Sequence, residues 1–259
     1  MLRDLIQCGG QILNDAYDAS EPANVVLDDA EKRLFEVTEK RVTNQAAPIR
    51  EFMQATLQQI EAIQDGKLTG VASGFNELDD LLGGFQFGDF VVVAARPSMG
   101  KTALALSMLD YIAIAEGIPV AFFSLEMSKL QIAQRMLCSH AQVDMQRLRS
   151  RRLSDQDRVK LKTVGKKLRD FSIFIDDTPA MSVMEVRAKA RRLKMLHKIE
   201  IIFVDYLQLM FDRASKENRQ QEIAAISRGL KSLARELNIP VVALAQLNQI
   251  QAQGDFDYT

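Results

Sequence analysis

The stretch Ala95-Arg96-Pro97-Ser98-Met99-Gly100-Lys101-Thr102 sets a short loop with proline, serine and glycine immediately ahead of a lysine and a hydroxyl. These residue types in this order suit a polyphosphate. Backbone N–H groups of the loop and of the helix that follows attract phosphate oxygens, Lys101 places a point charge at the β- and γ-phosphates, and the Thr102 hydroxyl can ligate Mg²⁺. The usual pattern opens on glycine, and this chain has Ala95 there. Asp205, which ends the apolar run Ile199–Val204, would read as a plain strand end if it stood alone. About a hundred residues after a phosphate loop, it reads as the carboxylate that holds the Mg²⁺ shell. Residue 206 is Tyr where many ATPases carry a second, water-activating carboxylate, so a base has to come from another strand end. Glu126, just past Pro119–Leu125, is placed to orient water against a γ-phosphate; the alternative is an exposed strand-end glutamate. Gln246, after Val241–Ala245, offers a neutral amide to the same phosphate and precedes Leu247-Asn248.

The elements that position these groups follow from the hydrophobic pattern. Asp89–Ala94 is a β-branched apolar run expected to form a strand buried on both faces, and Ala103–Leu109 is rich in helix formers. Short apolar runs recur at Phe90–Ala94, Val120–Leu125, Phe171–Ile175, Ile199–Val204 and Val241–Ala245, with helical stretches between them. This alternation implies an α/β fold with a mostly parallel sheet covered by helices on both faces, and it puts function at the carboxyl ends of the strands. Arg187–Lys198 alternates Ala188, Ala190, Leu193 and Leu196 with cations, as an amphipathic helix over a sheet does.

Ahead of this core, residues 1–20 read as a helix interrupted at Gly9-Gly10, and Leu27–Lys40 places Leu27, Ala30, Leu34 and Val37 on one helical face. Pro48 then opens a helix whose stripe is Ile49, Phe52, Met53, Leu57, Ile60 and Ile63. Packing within its own domain and docking on a neighbouring subunit explain that stripe equally well.

With 259 residues, 47% hydrophobic and 26% charged, the chain is long enough for one large domain and an appendage. It has no apolar run of transmembrane length and no signal-peptide core, which leads to the expectation of a soluble cytoplasmic protein without a membrane partner. Cys8 and Cys138 lie far apart with no metal-ligand spacing, and His140 and His197 are isolated. The net charge of −1 hides an asymmetry, with 7 basic and 12 acidic residues in 1–70 against 26 and 22 in 71–259. Arg147–Arg169 carries ten Lys or Arg without an interleaved aromatic residue and reads as a solvated helix face.

Taken together, Ala94–Thr102, Phe123-Ser124-Leu125-Glu126-Met127-Ser128, Ile175-Asp176-Asp177-Thr178-Pro179, Val204-Asp205-Tyr206-Leu207-Gln208-Leu209-Met210 and Ala245-Gln246-Leu247-Asn248 resemble the bacterial replicative DNA helicases of the DnaB family, within the RecA-like superfamily. Ala95 is common in that family. The resemblance implies a RecA-like core at 67–259, a linker helix at 45–66 that docks on the adjacent subunit through Phe52, Met53, Leu57 and Ile60, and a helical remnant of an N-terminal domain at 1–44. It further implies ATP and Mg²⁺ as cofactors, with residues 95–102 binding nucleotide, Thr102 and Asp205 the metal, Glu126 as base, Lys101 on the phosphates and Gln246 as γ-phosphate sensor. Single-stranded DNA, a homo-hexameric ring, a primase and a helicase loader are the partners it implies. Arg213, Lys216 and Arg219, in the segment after Asp205, are candidate DNA contacts. By the same resemblance the chain starts near the end of the family's N-terminal domain and stops eleven residues after Asn248, ahead of the family's main DNA loop and arginine finger. A catalytically weak nucleotide-binding module that joins or caps a helicase ring is therefore the alternative function. A recombination or clock-type ATPase and a small-molecule kinase fit the motifs less well.

Overall fold

The structure, a computed structural model, describes residues 2–18, 25–26, 30, 33, 48–64, 68–211 and 219–247. The chain divides into two compact units, Met1–Ile60 and Glu61–Thr259.

The larger unit is built on a sheet of five strands: β1 (Phe90–Ala95), β2 (Val120–Ser124), β3 (Ile173–Asp176), β4 (Ile201–Asp205) and β5 (Val241–Gln246). All neighbours pair in parallel, in the spatial order β1-β5-β4-β2-β3. Strand side chains alternate between faces, so each apolar run feeds two cores at once. Val120, Phe122, Ile201, Phe203, Val242 and Leu244 point to one layer; Ala121, Phe123, Ile202, Val204, Val241 and Ala243 point to the other. The first layer is closed by α4 (Lys101–Asp110), the wider π-helical turn Tyr111–Ala115 that continues it, and α5 (Lys129–Ala141). On the opposite face, α8 (Val183–His197) and α9 (Arg219–Leu237) complete the second layer with Val186, Ala190, Ile226, Leu230 and Leu233. The helix expected at Arg187–Lys198 is thus α8. Its buried Arg187 is neutralised by Glu236 of α9, with the side chain's Nε donating at 2.6 Å.

Start signals are written locally. Ser128, Ser154 and Ser182 each accept from the backbone N–H three residues on, and Gln131, Asp157 and Glu185 return the bond in full capping boxes. These open α5, α7 (Asp155–Leu168) and α8; the short helices α3 (Asn76–Leu82) and α6 (Met145–Arg149) complete the unit.

One expectation for the sheet is corrected. Strand β1 is not buried on both faces, because it occupies the sheet edge with β5 as its one described partner, and Val92 is 47% exposed. An apolar run with this composition is compatible with either position, since only the pairing of distant segments decides which strand ends the sheet.

The smaller unit contains α1 (Leu2–Asp18), and α2 (Arg50–Gln64) runs across the boundary between the two units. Helix α1 continues through Gly9-Gly10, where an added Cβ would meet nothing within 4 Å. The glycines therefore cost helix propensity, about 1 kcal/mol each, without breaking the helix. Apart from Ala30 and Arg33, which pairs with Asp15, the run Leu27–Lys40 lies outside the described residues. On α2 the apolar stripe is exposed at Phe52, Met53, Leu57 and Ile60, preceded by an exposed Ile49.

Candidate active site

The parallel sheet brings the four chemistry-bearing segments to one edge. Ala95 is in register with Gln246, and Leu247 N–H donates to the Ala95 carbonyl at 3.0 Å. Two strands over, Ser124 is in register with Asp205, and Leu125 N–H donates to the Asp205 carbonyl at 2.7 Å. A cleft of about 440 Å³ opens between these ends. It is lined by Ala95, Arg96, Pro97, Ser98, Gly100, Lys101, Thr102, Ala103, Glu126, Arg135 and Gln246. Of the loop residues singled out in sequence, Met99 does not line the cleft and its side chain is exposed.

The loop reaches helix α4 through two left-handed residues, Ser98 (φ 64°) and Gly100 (φ 87°). Gly100 is the helix N-cap and has no side chain to accept from the first-turn N–H groups. The capping boxes of α5, α7 and α8 silence those donors; at α4 they stay open toward the cleft, where the helix dipole adds to their attraction for an anion.

Lys101 and Thr102 converge on Asp205. Thr102 Oγ1 donates to Asp205 Oδ2 at 2.7 Å, and Lys101 Nζ stands 3.6 Å from Oδ1. Asp205 is fully buried, and its Oδ1 has no hydrogen-bond partner. A buried carboxylate oxygen left without a donor is costly unless a cation or polarised water completes its shell. That orphan, beside a threonine hydroxyl and an open phosphate cradle, fits Mg²⁺, which takes one or two protein oxygens and draws the rest of its shell from phosphates and water. Among the described residues no group of three or more His, Cys, Asp or Glu side chains could hold a metal without such help.

The ring of Tyr206 lies under the ammonium of Lys101, 4.0 Å from Nζ to the ring centroid. Burial pushes the Lys101 ammonium below its ordinary pKa, against the upward pull of Asp205 and Glu126. Burial, followed by the charges of Glu126 and Asp205, pushes the Tyr206 phenol up. The first shift puts Lys101, and the second Tyr206, within electrostatic reach of the Glu126 carboxylate. The turn that aims Glu126 is fixed by Ser124, whose Oγ donates to the Met127 carbonyl at 2.7 Å and accepts from Met127 N–H at 3.1 Å.

Beyond β4, Gln208 acts as an added rung of the sheet. Its Nε2 donates to the Gln246 carbonyl at 2.9 Å, and its Oε1 accepts from Gln246 N–H at 3.1 Å. Arg219 closes the same corner by donating to the carbonyls of Gln208 and Met210 and pairing with Glu222. Arg213 and Lys216 lie outside the described residues, as does Asn248.

A profile of the DnaB-like helicase C-terminal domain matches residues 70–255. The chain belongs to that family. It is 43% identical over 252 residues to the replicative DNA helicase DnaB of Geobacillus stearothermophilus, covering 96% of this chain and 56% of that protein. The replicative DNA helicase DnaC of Bacillus subtilis is 42% identical over the same shares. The chain thus spans a little over half the length of these relatives. Among solved structures, one ATPase domain superposes with a TM-score of 0.76 at 33% identity, covering 83% of this chain and 76% of that one. A DnaB-like replicative helicase studied with primase gives 0.72 at 31% identity, over 99% of this chain and 60% of that one. The α/β architecture expected from the strand pattern, and its RecA-like form implied by the resemblance, are the fold of this family.

Three participants had been given no role at the site from the sequence. Arg135 reaches the cleft from α5, and its one linear signal is that it is the only arginine between Arg96 and Arg147. Tyr206 had been noted for the carboxylate it replaces, and its place under Lys101 needs the three-dimensional register. Gln208 sits in a quoted motif, yet nothing linear ties it to Gln246. His140, isolated in sequence, pairs with Asp110 at 2.8 Å, and His197 stacks on Phe174.

Proposed function

We propose that this chain is the motor portion of a replicative DNA helicase, which binds Mg-ATP in the cleft between the loop 95–102 and Asp205 and hydrolyses it to move along single-stranded DNA. The observation that carries this reading is the convergence of Lys101 and Thr102 on a buried, incompletely satisfied Asp205 beneath an uncapped helix N-terminus.

The open N–H groups of α4 and the Lys101 ammonium take the β- and γ-phosphates. Thr102 and Asp205 would hold Mg²⁺, which when bound would neutralise charge building on the phosphate oxygens. Glu126 orients a water and accepts its proton as the water oxygen attacks the γ-phosphorus. The bond from that phosphorus to the bridging oxygen breaks, and ADP and phosphate leave. Arg135 faces the transferred phosphate from α5. The Gln246 side chain hydrogen-bonds the γ-phosphate, while its backbone, held by Gln208, links its position to the turn after Asp205 and so to Arg219. The segment containing Arg213, Lys216 and Arg219 then contacts DNA.

For domain organisation we propose a helical N-terminal remnant at 1–44, a linker helix at 45–66 and the ATPase domain at 67–259. The exposed Phe52, Met53, Leu57 and Ile60 support docking of the linker on a neighbouring copy in a homo-hexameric ring. Primase and a loader are proposed partners on the likeness to the helicases above. A cytoplasmic setting is proposed on the same likeness; among the described residues no helix is long and apolar enough to cross a membrane.

Titration of the 259-residue chain with a fluorescent ATP analogue tests the reading. Binding should need Mg²⁺ and be lost in Lys101→Ala; equal binding in EDTA and in the variant would refute it.

A further inference from the structure

Residues 145–170 hold ten Lys or Arg against three Asp, a local charge of +7 in a chain whose total is −1. All ten cations are exposed. Two of the three carboxylates serve the start of α7: Asp157 completes the capping box with Ser154, and Asp155 lies in the first turn, where negative charge complements the helix dipole. Arg147 stands 3.7 Å from Asp157, and Lys160 shares that field. The other eight cations have no ion pair among the described residues.

Four of them form a line. Arg158, Lys162 and Lys166 are spaced by four residues along α7, and Arg169, just past its end, returns to the same face. At the helical rise of 1.5 Å per residue the line is roughly 17 Å long. The apolar side of the helix, with Leu161, Val164 and Leu168 partly buried, faces the protein, and Gly165 abuts Leu137 of α5. The charged line therefore stands outward on a fixed support, and none of its members lines the ATP cleft.

Like charges four residues apart weaken a helix, and a face built only for solubility would interleave glutamate with lysine. This face needs its counter-charge from outside. Two classes of polyanion could supply it. An acidic protein partner calls for aromatic or aliphatic anchors, and here Val159 is the one large exposed hydrophobic residue and no aromatic side chain falls between 145 and 170. Cations without stacking groups or apolar anchors match a phosphodiester backbone read without regard to sequence.

We propose that the surface of α6 and α7, centred on Arg158, Lys162, Lys166 and Arg169, is a sequence-independent binding site for a nucleic-acid backbone, separate from the ATP cleft and from the segment after Asp205. It goes beyond the motor reading, and its test reads binding without nucleotide, so either can fail alone.

The test compares the full chain with the quadruple variant Arg158→Gln, Lys162→Gln, Lys166→Gln, Arg169→Gln, using anisotropy of a fluorescein-labelled single strand of about 30 mixed-sequence nucleotides between about 50 and 200 mM salt. Affinity should fall tenfold or more at the low-salt end. The log–log salt slope should become shallower by about 0.7 for each phosphate that no longer meets a cation, hence by nearly three when all four cations are replaced. The thermal midpoint should not fall, since like-charge repulsion along the helix is relieved, and ATP-analogue binding should not move. The pair Arg158→Lys, Arg169→Lys should retain binding, because a backbone phosphate here needs charge rather than the guanidinium fork. Unchanged affinity and slope would overturn the proposal. So would polyglutamate that displaces the DNA at equal charge concentration and depends on the same four residues, which would mark the surface as an acidic-protein site.

Discussion

Replacing Gln208 by Leu conserves volume and removes both hydrogen bonds to the Gln246 backbone, at 2.9 and 3.1 Å. Each is worth about 1 kcal/mol net. Gln246 is half-buried, so water can recover part of the loss, and the expected destabilisation is about 1–2 kcal/mol. With a urea m-value of about 2 kcal/mol per molar, the unfolding midpoint should fall by about 0.5–1 M. The functional effect is of similar size, because the freed end of β5 no longer holds the Gln246 side chain against the phosphate. A barrier raised by about 1.4 kcal/mol is about tenfold in turnover. Urea unfolding followed by far-ultraviolet circular dichroism, and phosphate release at saturating ATP with and without single-stranded DNA, read the two effects separately. Gln208→Glu keeps the acceptor for Gln246 N–H but sets a carboxylate oxygen against the Gln246 carbonyl where the donor stood, so it should destabilise at least as much as Leu. An unaltered midpoint together with undiminished DNA stimulation in Gln208→Leu would refute the idea that this side chain ties the sensor strand to the turn after Asp205.

Thr102→Val removes the donor to Asp205 and the proposed metal-ligating oxygen; Mg²⁺-dependent ATP-analogue affinity should drop at least tenfold, and the nucleotide-free fold should lose about 1.5–3 kcal/mol, as equilibrium titration and unfolding will measure. Because burial lowers the Lys101 pKa and a triphosphate would raise it again, ATP binding should take up protons in the interval between the lowered value and the ordinary lysine range, read by calorimetry in buffers of different ionisation enthalpy. The same shift makes the nucleotide-free fold gain stability as pH rises from the lowered value toward the ordinary one, since the unfolded chain binds the extra proton there. Leu230→Ala, at a fully buried position between α9 and the sheet, should cost about 2–5 kcal/mol in denaturant unfolding.

The fold was legible in sequence because its strands are continuous apolar runs and its helices start at local signals. The loop that opens α4 was read directly; Ser128, Ser154 and Ser182 with their partners three residues on carry start signals of the same local kind that had not been singled out. Asp205, Glu126 and Gln246 were legible because a parallel sheet sends the residue after each strand to one edge. Strand order was not legible, and with it went the exposure of Val92, since an edge strand and a central one share a composition. Arg135 and Gln208 act across separations in the chain, from α5 to the loop and from Gln208 to Gln246, that no local pattern encodes. The basic segment read as a solvated face because pairing with carboxylates is a property of the folded surface; its eight unpaired cations became visible only there.

The most direct test of the central claim is ATP turnover by the 259-residue chain with and without single-stranded DNA, set beside Glu126→Gln. The arrangement of Lys101, Thr102, Glu126 and Asp205 predicts DNA-stimulated phosphate release that falls roughly 10²–10⁴-fold in the variant while ATP-analogue affinity is kept. Equal turnover in the two proteins would contradict the assignment of Glu126 as base and the motor reading built on it.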